Sequence, residues 1–196
     1  MAKRRGPWQV HGHDVAFENP WMRVLSHEVT LPNGTPGRYG VVTFRMKALA
    51  ILPIHEDGTI TLVGQHRFPT DRYGWEIPEG GGDLDGDPQV CAARELREET
   101  GLSAGHWREI LRLDMSNSIT TETAVGFIAT DLTAGEPDPD ETEVLETRRI
   151  PFRQALDEAM SGTIHDALTV AMLMKAYYMA REGELDATLA ALILKR

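Results

Sequence analysis

Three glutamates, Glu95, Glu98 and Glu99, lie three and four residues apart in the stretch Arg94-Glu95-Leu96-Arg97-Glu98-Glu99. On a helix, those spacings put carboxylates on one face. Like charges this close repel, so they need full solvation, pairing with Arg94 and Arg97, or a cation held among them. A run of glycines, Gly80-Gly81-Gly82, leads towards the stretch, and glycine lets backbone approach a ligand or metal closely. Carboxylate oxygens on a rigid element suit hard divalent cations, Mg²⁺ or Mn²⁺. Such an ion would invert the local potential and acidify a bound water.

A helix must carry these groups, and its ends are legible. Asp87-Pro88 offers an N-cap acceptor followed by a residue preset for the first helical position. Gly101 suits the left-handed position after the last turn. Within those limits Val90, Ala93, Leu96 and Thr100 are the expected core face. Before the helix the chain reads as β: Trp21 to Leu31, a turn at Pro32-Asn33-Gly34, then Tyr39 to Phe44 and Ala48 to Pro53. A hairpin turn at His55-Glu56-Asp57-Gly58 leads into Thr59 to Gln65. After the helix come strands over His106 to Asp114 and Ala124 to Ala129, an acidic loop from Gly135 to Glu143, and a strand from Val144 to Ile150. Helices over Phe152 to Met160, His165 to Arg181 and Leu185 to Lys195 close the chain. Strands with helices late in the sequence predict an α/β sandwich. Residues 1–45 read as an N-terminal β-hairpin extension suited to dimerisation, and residues 46–196 as the main domain.

The 196 residues carry 20 Lys+Arg against 30 Asp+Glu, a formal charge of −10, with 41% apolar residues. That balance predicts a folded protein and argues against a nucleic-acid or anionic-membrane partner, both of which need a positive field. No apolar run is long enough to span a membrane, and Met1-Ala2-Lys3-Arg4-Arg5 runs into Gly6-Pro7-Trp8 rather than an apolar core. The single cysteine, Cys91, fits a reducing cytoplasm and, on the helix, a packed position.

Gly80, Arg94, Glu95, Leu96, Glu98, Glu99, Gly101 and Leu102 fall at eight of the nine fixed positions of G-x5-E-x7-R-E-U-x-E-E-x-G-U, where U is a bulky aliphatic residue. The chain therefore resembles the Nudix hydrolases. The first glutamate of the pattern falls on Gly86, between Asp85 and Asp87, and Asp87 as N-cap is the expected compensation. The resemblance implies an α/β/α sandwich around a mixed sheet. It assigns Glu95, Glu98 and Glu99 to a divalent metal, with the backbone carbonyl of Glu79 beside Gly80 as a further ligand, and gives Arg94 the task of orienting these carboxylates.

Gln65-His66-Arg67-Phe68-Pro69 and Trp75-Glu76-Ile77-Pro78-Glu79-Gly80 look like the Q-x-R-x-P and W-E-[LI]-P-x-G runs of the branch that splits ADP-ribose and nucleotide sugars. That likeness assigns Arg67 and Glu76 to substrate, Arg67 by bidentate contact with phosphate. Trp75 is either a stacking platform or core. Glu122, in the loop from Ser116, is a substrate or metal contact or a solvated carboxylate. Within the acidic loop Glu141, ranked ahead of Glu143, is the expected general base, brought to the attacking water by loop closure. The implied reaction is Mg²⁺-dependent hydrolysis of ADP-ribose or another nucleotide sugar by a cytoplasmic homodimer. GDP-mannose, a dinucleoside polyphosphate, or a non-catalytic sensor of nucleotide sugars are the alternatives. His11-Gly12-His13 reads as a weak metal-like pair in a mobile N-terminus.

Overall fold

The computed structural model describes residues 2–138 and 144–195. The two loop glutamates expected as general base, Glu141 and Glu143, lie outside the described residues. The chain forms two compact units, Met1–Lys47 with Leu113–Thr123, and Ala48–Arg112 with Ala124–Arg196.

The first unit is built on a sheet of four strands, β1 (Lys3–Arg5), β2 (Trp8–Glu18), β3 (Met22–Thr30) and β4 (Pro36–Phe44), antiparallel in chain order. The segment from Trp8 is therefore not a mobile tail. His11 is hydrogen-bonded to Thr30 Oγ1 at 2.8 Å, and His13 sits opposite His27 with ring centroids 5.2 Å apart. Polar residues alternate so densely in β2 that the hydrophobic signal of a strand is missing. Pairing with β3, across two register shifts, supplies what composition does not.

The second unit carries the remaining strands: β5 (Met46–Pro53), β6 (Thr59–Arg67), β7 (Arg72–Glu76), β8 (Glu79–Asp83), β9 (Leu102–Asp114), β10 (Thr123–Ala134) and β11 (Glu146–Pro151). Four helices belong to it: α1 (Pro88–Thr100), α2 (Phe152–Met160), α3 (Ala167–Arg181) and α4 (Ala187–Leu194). One sheet runs β8-β5-β10-β9, with β5 and β10 parallel, and a second, antiparallel sheet runs β11-β6-β7. Alternation along β5 and β10 explains the layering. Leu49, Ile51, Val125, Phe127 and Ala129 pack with Ala92 and Leu96 of α1. On the other face, a Cβ at Gly126 would collide with Met172 of α3. Buried on both sides, β5 reads as the unbroken apolar run Ala48 to Pro53. The expected α/β/α sandwich is the architecture found. Strands β7 and β8 escaped the sequence reading, because a Gly-rich, charged stretch carries no strand periodicity.

The ends of α1 are as expected. Asp87 accepts from the Gln89 amide at 2.9 Å, Pro88 starts the helix, and Gly101 closes it at φ 71° with its amide donating to Arg97 O at 2.8 Å. Its core face differs. Ala92, Leu96 and Glu99 are the buried residues, whereas Val90 is 67% exposed. The face turns because a carboxylate, Glu99, occupies an inward position.

Candidate active site

The inward turn of Glu99 has a partner: its Oε2 accepts the backbone N–H of Glu79 at 3.0 Å. A helix carboxylate is thereby tied to the strand carrying the glycine run, by a charge-assisted bond in a half-buried setting. Next to this tie, a Cβ at Gly80 would collide with the Glu95 carboxyl group. Gly80 is thus glycine for a steric reason, since it makes the hollow in which Glu95 lies. Gly81 contributes its carbonyl, which accepts from Arg94 Nη2 at 3.1 Å.

Arg94 fans its donors across the face. Nη1 donates to Glu98 Oε2 at 2.6 Å and Nη2 to Glu95 Oε1 at 2.5 Å. Burial works against its charge, but Glu95 and Glu98 more than offset this and hold the guanidinium above its ordinary pKa. One arginine against three carboxylates leaves the face net negative, although Arg97 comes within 3.9 Å of Glu98. Gly86, where the pattern has glutamate, has its amide on Asp83 O at 3.0 Å, and a Cβ there would meet Asp83 Cβ at 3.3 Å. The turn into α1 is therefore made by backbone and by Asp87, without a glutamate.

A second cluster comes from β6 and β7. Alternation places Gln65 and Arg67 on the sheet face that also carries Glu76. Glu76 is 4% exposed. Its Oε1 accepts from Gln65 Nε2 at 2.7 Å and from Arg67 Nη2, and its Oε2 from Arg67 Nε at 3.2 Å. Burial raises the Glu76 pKa in spite of the guanidinium beside it, and Asp166 adds to the rise. Desolvation likewise opposes the Arg67 charge, but Glu76, Glu79 and Asp166 prevail and raise its pKa.

Glu79 joins the two clusters. Its amide meets Glu99, and its side chain lies in the field of Arg67, Glu76 and Asp166. Burial first, then Asp166, pushes the Glu79 carboxyl well above the ordinary carboxylate range. Its Oε1 is buried without a hydrogen-bond partner. Asp166, the N-cap of α3, accepts the Thr169 amide at 2.7 Å, while Thr169 Oγ1 accepts the Ile77 amide at 2.9 Å. The sequence reading missed Gln65 as a side chain with a task, as well as the Glu79 carboxyl and Asp166. Strand alternation alone would have flagged Gln65; the other two meet only in the fold.

Arg67, Glu76, Glu79, Gly80, Arg94, Glu95, Glu98 and Glu99 thus belong to the second unit. Glu122 belongs to the first, and burial raises its pKa. Trp75 lies on the opposite face of the β6–β7 pair from Glu76, under the Arg148 guanidinium at 4.5 Å. It packs there with Tyr73.

Among the described residues no three His, Cys, Asp or Glu side chains converge on one point as they stand. The donor set nevertheless fits a hard divalent cation. It offers only oxygens, it is net negative, and Gly80 leaves room for the Glu95 carboxyl group that a Cβ would displace.

Residues 44–169 match the NUDIX domain. The chain belongs to the Nudix hydrolase family. Residues 8–42 match the nucleoside diphosphate sugar hydrolase N-terminal domain. Among curated relatives, the ADP-ribose pyrophosphatase of Mycobacterium tuberculosis is 31% identical over 157 residues, 76% of this chain and 73% of that one. The GDP-mannose pyrophosphatase of Salmonella arizonae is 33% identical over 165 residues, 78% of this chain and 85% of that one. A crystal structure of an ADP compounds hydrolase superposes with a TM-score of 0.81 at 22% identity, covering 94% of this chain and all of the other. That likeness shows the fold of this Nudix hydrolase.

Proposed function

We propose that this Nudix hydrolase cleaves the diphosphate of ADP-ribose or another nucleotide sugar, giving a nucleoside monophosphate and a sugar phosphate. The observation that carries the reading is the junction at Glu79, where the carboxylate face of α1 meets the cluster that holds Arg67. A diphosphate needs both halves: a cation-binding face for its charge and a guanidinium for its oxygens. The curated relatives, an ADP-ribose pyrophosphatase and a GDP-mannose pyrophosphatase, support the substrate class.

Glu95, Glu98 and Glu99, with the Glu79 carbonyl, would hold Mg²⁺, for which Mn²⁺ can substitute. The cation, when bound, neutralises diphosphate charge and lowers the pKa of an attacking water. Arg94 ties Glu95 and Glu98 to one guanidinium and so aims them, and the Glu79 amide fixes Glu99. Arg67 directs the donors that Glu76 leaves free at phosphate oxygens. Glu141 or Glu143 takes the proton of the attacking water.

A homodimer completes the reading. Among the described residues of the first unit only His27 and Val29 are buried, while Val15, Phe17 and Trp21 are at least half exposed. A sheet with so little buried surface needs a covering partner. No helix among the described residues is long and apolar enough to cross a membrane, and we assign the enzyme to the cytoplasm.

The test is product formation with Mg²⁺ on ADP-ribose, GDP-mannose, UDP-glucose and diadenosine polyphosphates side by side. Turnover of a nucleotide sugar supports the reading. Preference for the dinucleoside polyphosphates moves the substrate class, and binding without turnover makes the protein a sensor.

A further inference from the structure

We propose that Gln65 is a positioning residue for the diphosphate, acting through Glu76 on Arg67. The inference rests on the reading of Arg67 as the phosphate-binding cation. Arg67 is itself nearly half exposed, its side chain at 46%, so little packing restrains its four-bond stem. What restrains it is the pair of bonds from Nε and Nη2 to the buried Glu76 carboxylate. These take one edge of the guanidinium and leave Nη1 and the outer Nη2 hydrogen for a ligand.

Two bonds from one arginine do not by themselves fix a carboxylate. The terminal torsion of glutamate is broad and two-fold, so Glu76 can swing with Arg67 still attached. Gln65 removes that freedom. Its Nε2 donates to Glu76 Oε1 at 2.7 Å from a different backbone position, two residues before Arg67 on the same strand face. Three donors from two side chains then define the carboxylate plane, and with it the direction in which Arg67 presents its free edge. The strand pairing serves the same end. Gln65 lies opposite Gly74, which adds no side chain to that face, so the Glu76 carboxylate reaches diagonally to both partners.

Gln65 touches no substrate in this scheme. Its loss should weaken diphosphate binding and leave the metal face, which lies on α1 and β8, unchanged. The experiment is a double-mutant cycle of Gln65→Met and Arg67→Ala, read as KM and kcat for ADP-ribose or, where the substrate panel prefers it, GDP-mannose. Methionine keeps the length of glutamine and removes its donor. The expected result for Gln65→Met is a KM raised roughly five- to tenfold, the size of about one net intramolecular hydrogen bond, with kcat within about twofold and an unchanged melting temperature. Arg67→Ala should raise KM further, and Gln65→Met should add less than about twofold on that background, as expected for residues acting in series. Glu76→Gln should move KM in the same direction as Gln65→Met.

A full independent effect of Gln65→Met in the Arg67→Ala background overturns the inference and leaves the proposed function standing. So does a Gln65→Met enzyme with unaltered KM. An unaltered KM for Arg67→Ala, or no turnover of either nucleotide sugar by the parent enzyme, overturns both.

Discussion

The sheet β1–β4 buries two side chains among its described residues, His27 and Val29, whereas the thirteen-residue helix α1 alone buries Ala92, Leu96 and Glu99. The sheet's ion pairs, such as Arg38 with Asp14 and Glu28 at 3.3 Å, stand in solvent and contribute little. On α1 the polar groups are held by partners on other elements: Glu99 by the Glu79 amide, and Arg94 by the Gly81 carbonyl. A carboxylate can be kept inward and aimed only where a packed apolar layer, here Leu49, Ile51, Leu96 and Phe127, fixes the backbone around it. Among its described residues the sheet has no such layer, and Phe17 and the neighbouring Trp21 are exposed.

The hollow at Gly80 is the most sensitive point of the helix face. Gly80→Ala puts a methyl group where the Glu95 carboxyl lies. The enzyme should lose about a hundredfold or more in kcat/KM, the scale of displacing a catalytic group by about an ångström. Steady-state kinetics with Mg²⁺ would read it, and near-normal activity would mean that Glu95 is not held there. Next in size is the contrast between two apolar truncations. Leu96→Ala, at a fully buried position on α1, should cost about 2–5 kcal/mol in denaturant unfolding. Val29→Ala should cost less than about 1.5 kcal/mol, because it deletes a smaller side chain and Val29 is the one buried apolar side chain among the described residues of the sheet. Equal costs would show that the sheet has a core of comparable density.

A smaller effect is read by pH in the second unit. Burial, chiefly, lowers the pKa of His55 in the second unit, with Arg149 adding and Asp57 opposing. The folded chain therefore binds this proton less readily than the unfolded chain. Stability from His55 is full above the unfolded value of about 6.5 and is lost as pH falls from there towards the lowered folded value. Unfolding of His55→Gln followed from pH 7.5 to 5 should show a flatter decline than the parent. An identical decline would mean that His55 is not held neutral.

Much of this was legible in the residues. The spacing of Glu95, Glu98 and Glu99, the cap at Asp87 and the stop at Gly101 define α1 locally, so the sequence carries them. Strands β7 and β8 were not legible, since Tyr73-Gly74-Trp75 and Gly80-Gly81-Gly82 become strands by pairing rather than by propensity. The inward face of α1 was misjudged at Val90 because an apolar side chain was assumed to outrank a carboxylate for burial. The Glu79 amide reverses that order, and it lies twenty residues away in sequence. The Gln65–Glu76–Arg67 cluster shows the same limit, since its members share a face only once β6 and β7 are paired.

In the proposed function the carboxylate face of α1 and the Arg67 cluster act on one diphosphate. The most direct measurement is hydrolysis of ADP-ribose and GDP-mannose with Mg²⁺ by the parent enzyme and by Glu99→Gln, with nucleotide binding followed in both. The expected result is turnover of a nucleotide sugar that the substitution reduces by roughly a thousandfold, the scale of losing a group that stabilises transition-state charge, while binding persists. Undiminished turnover by Glu99→Gln would contradict it.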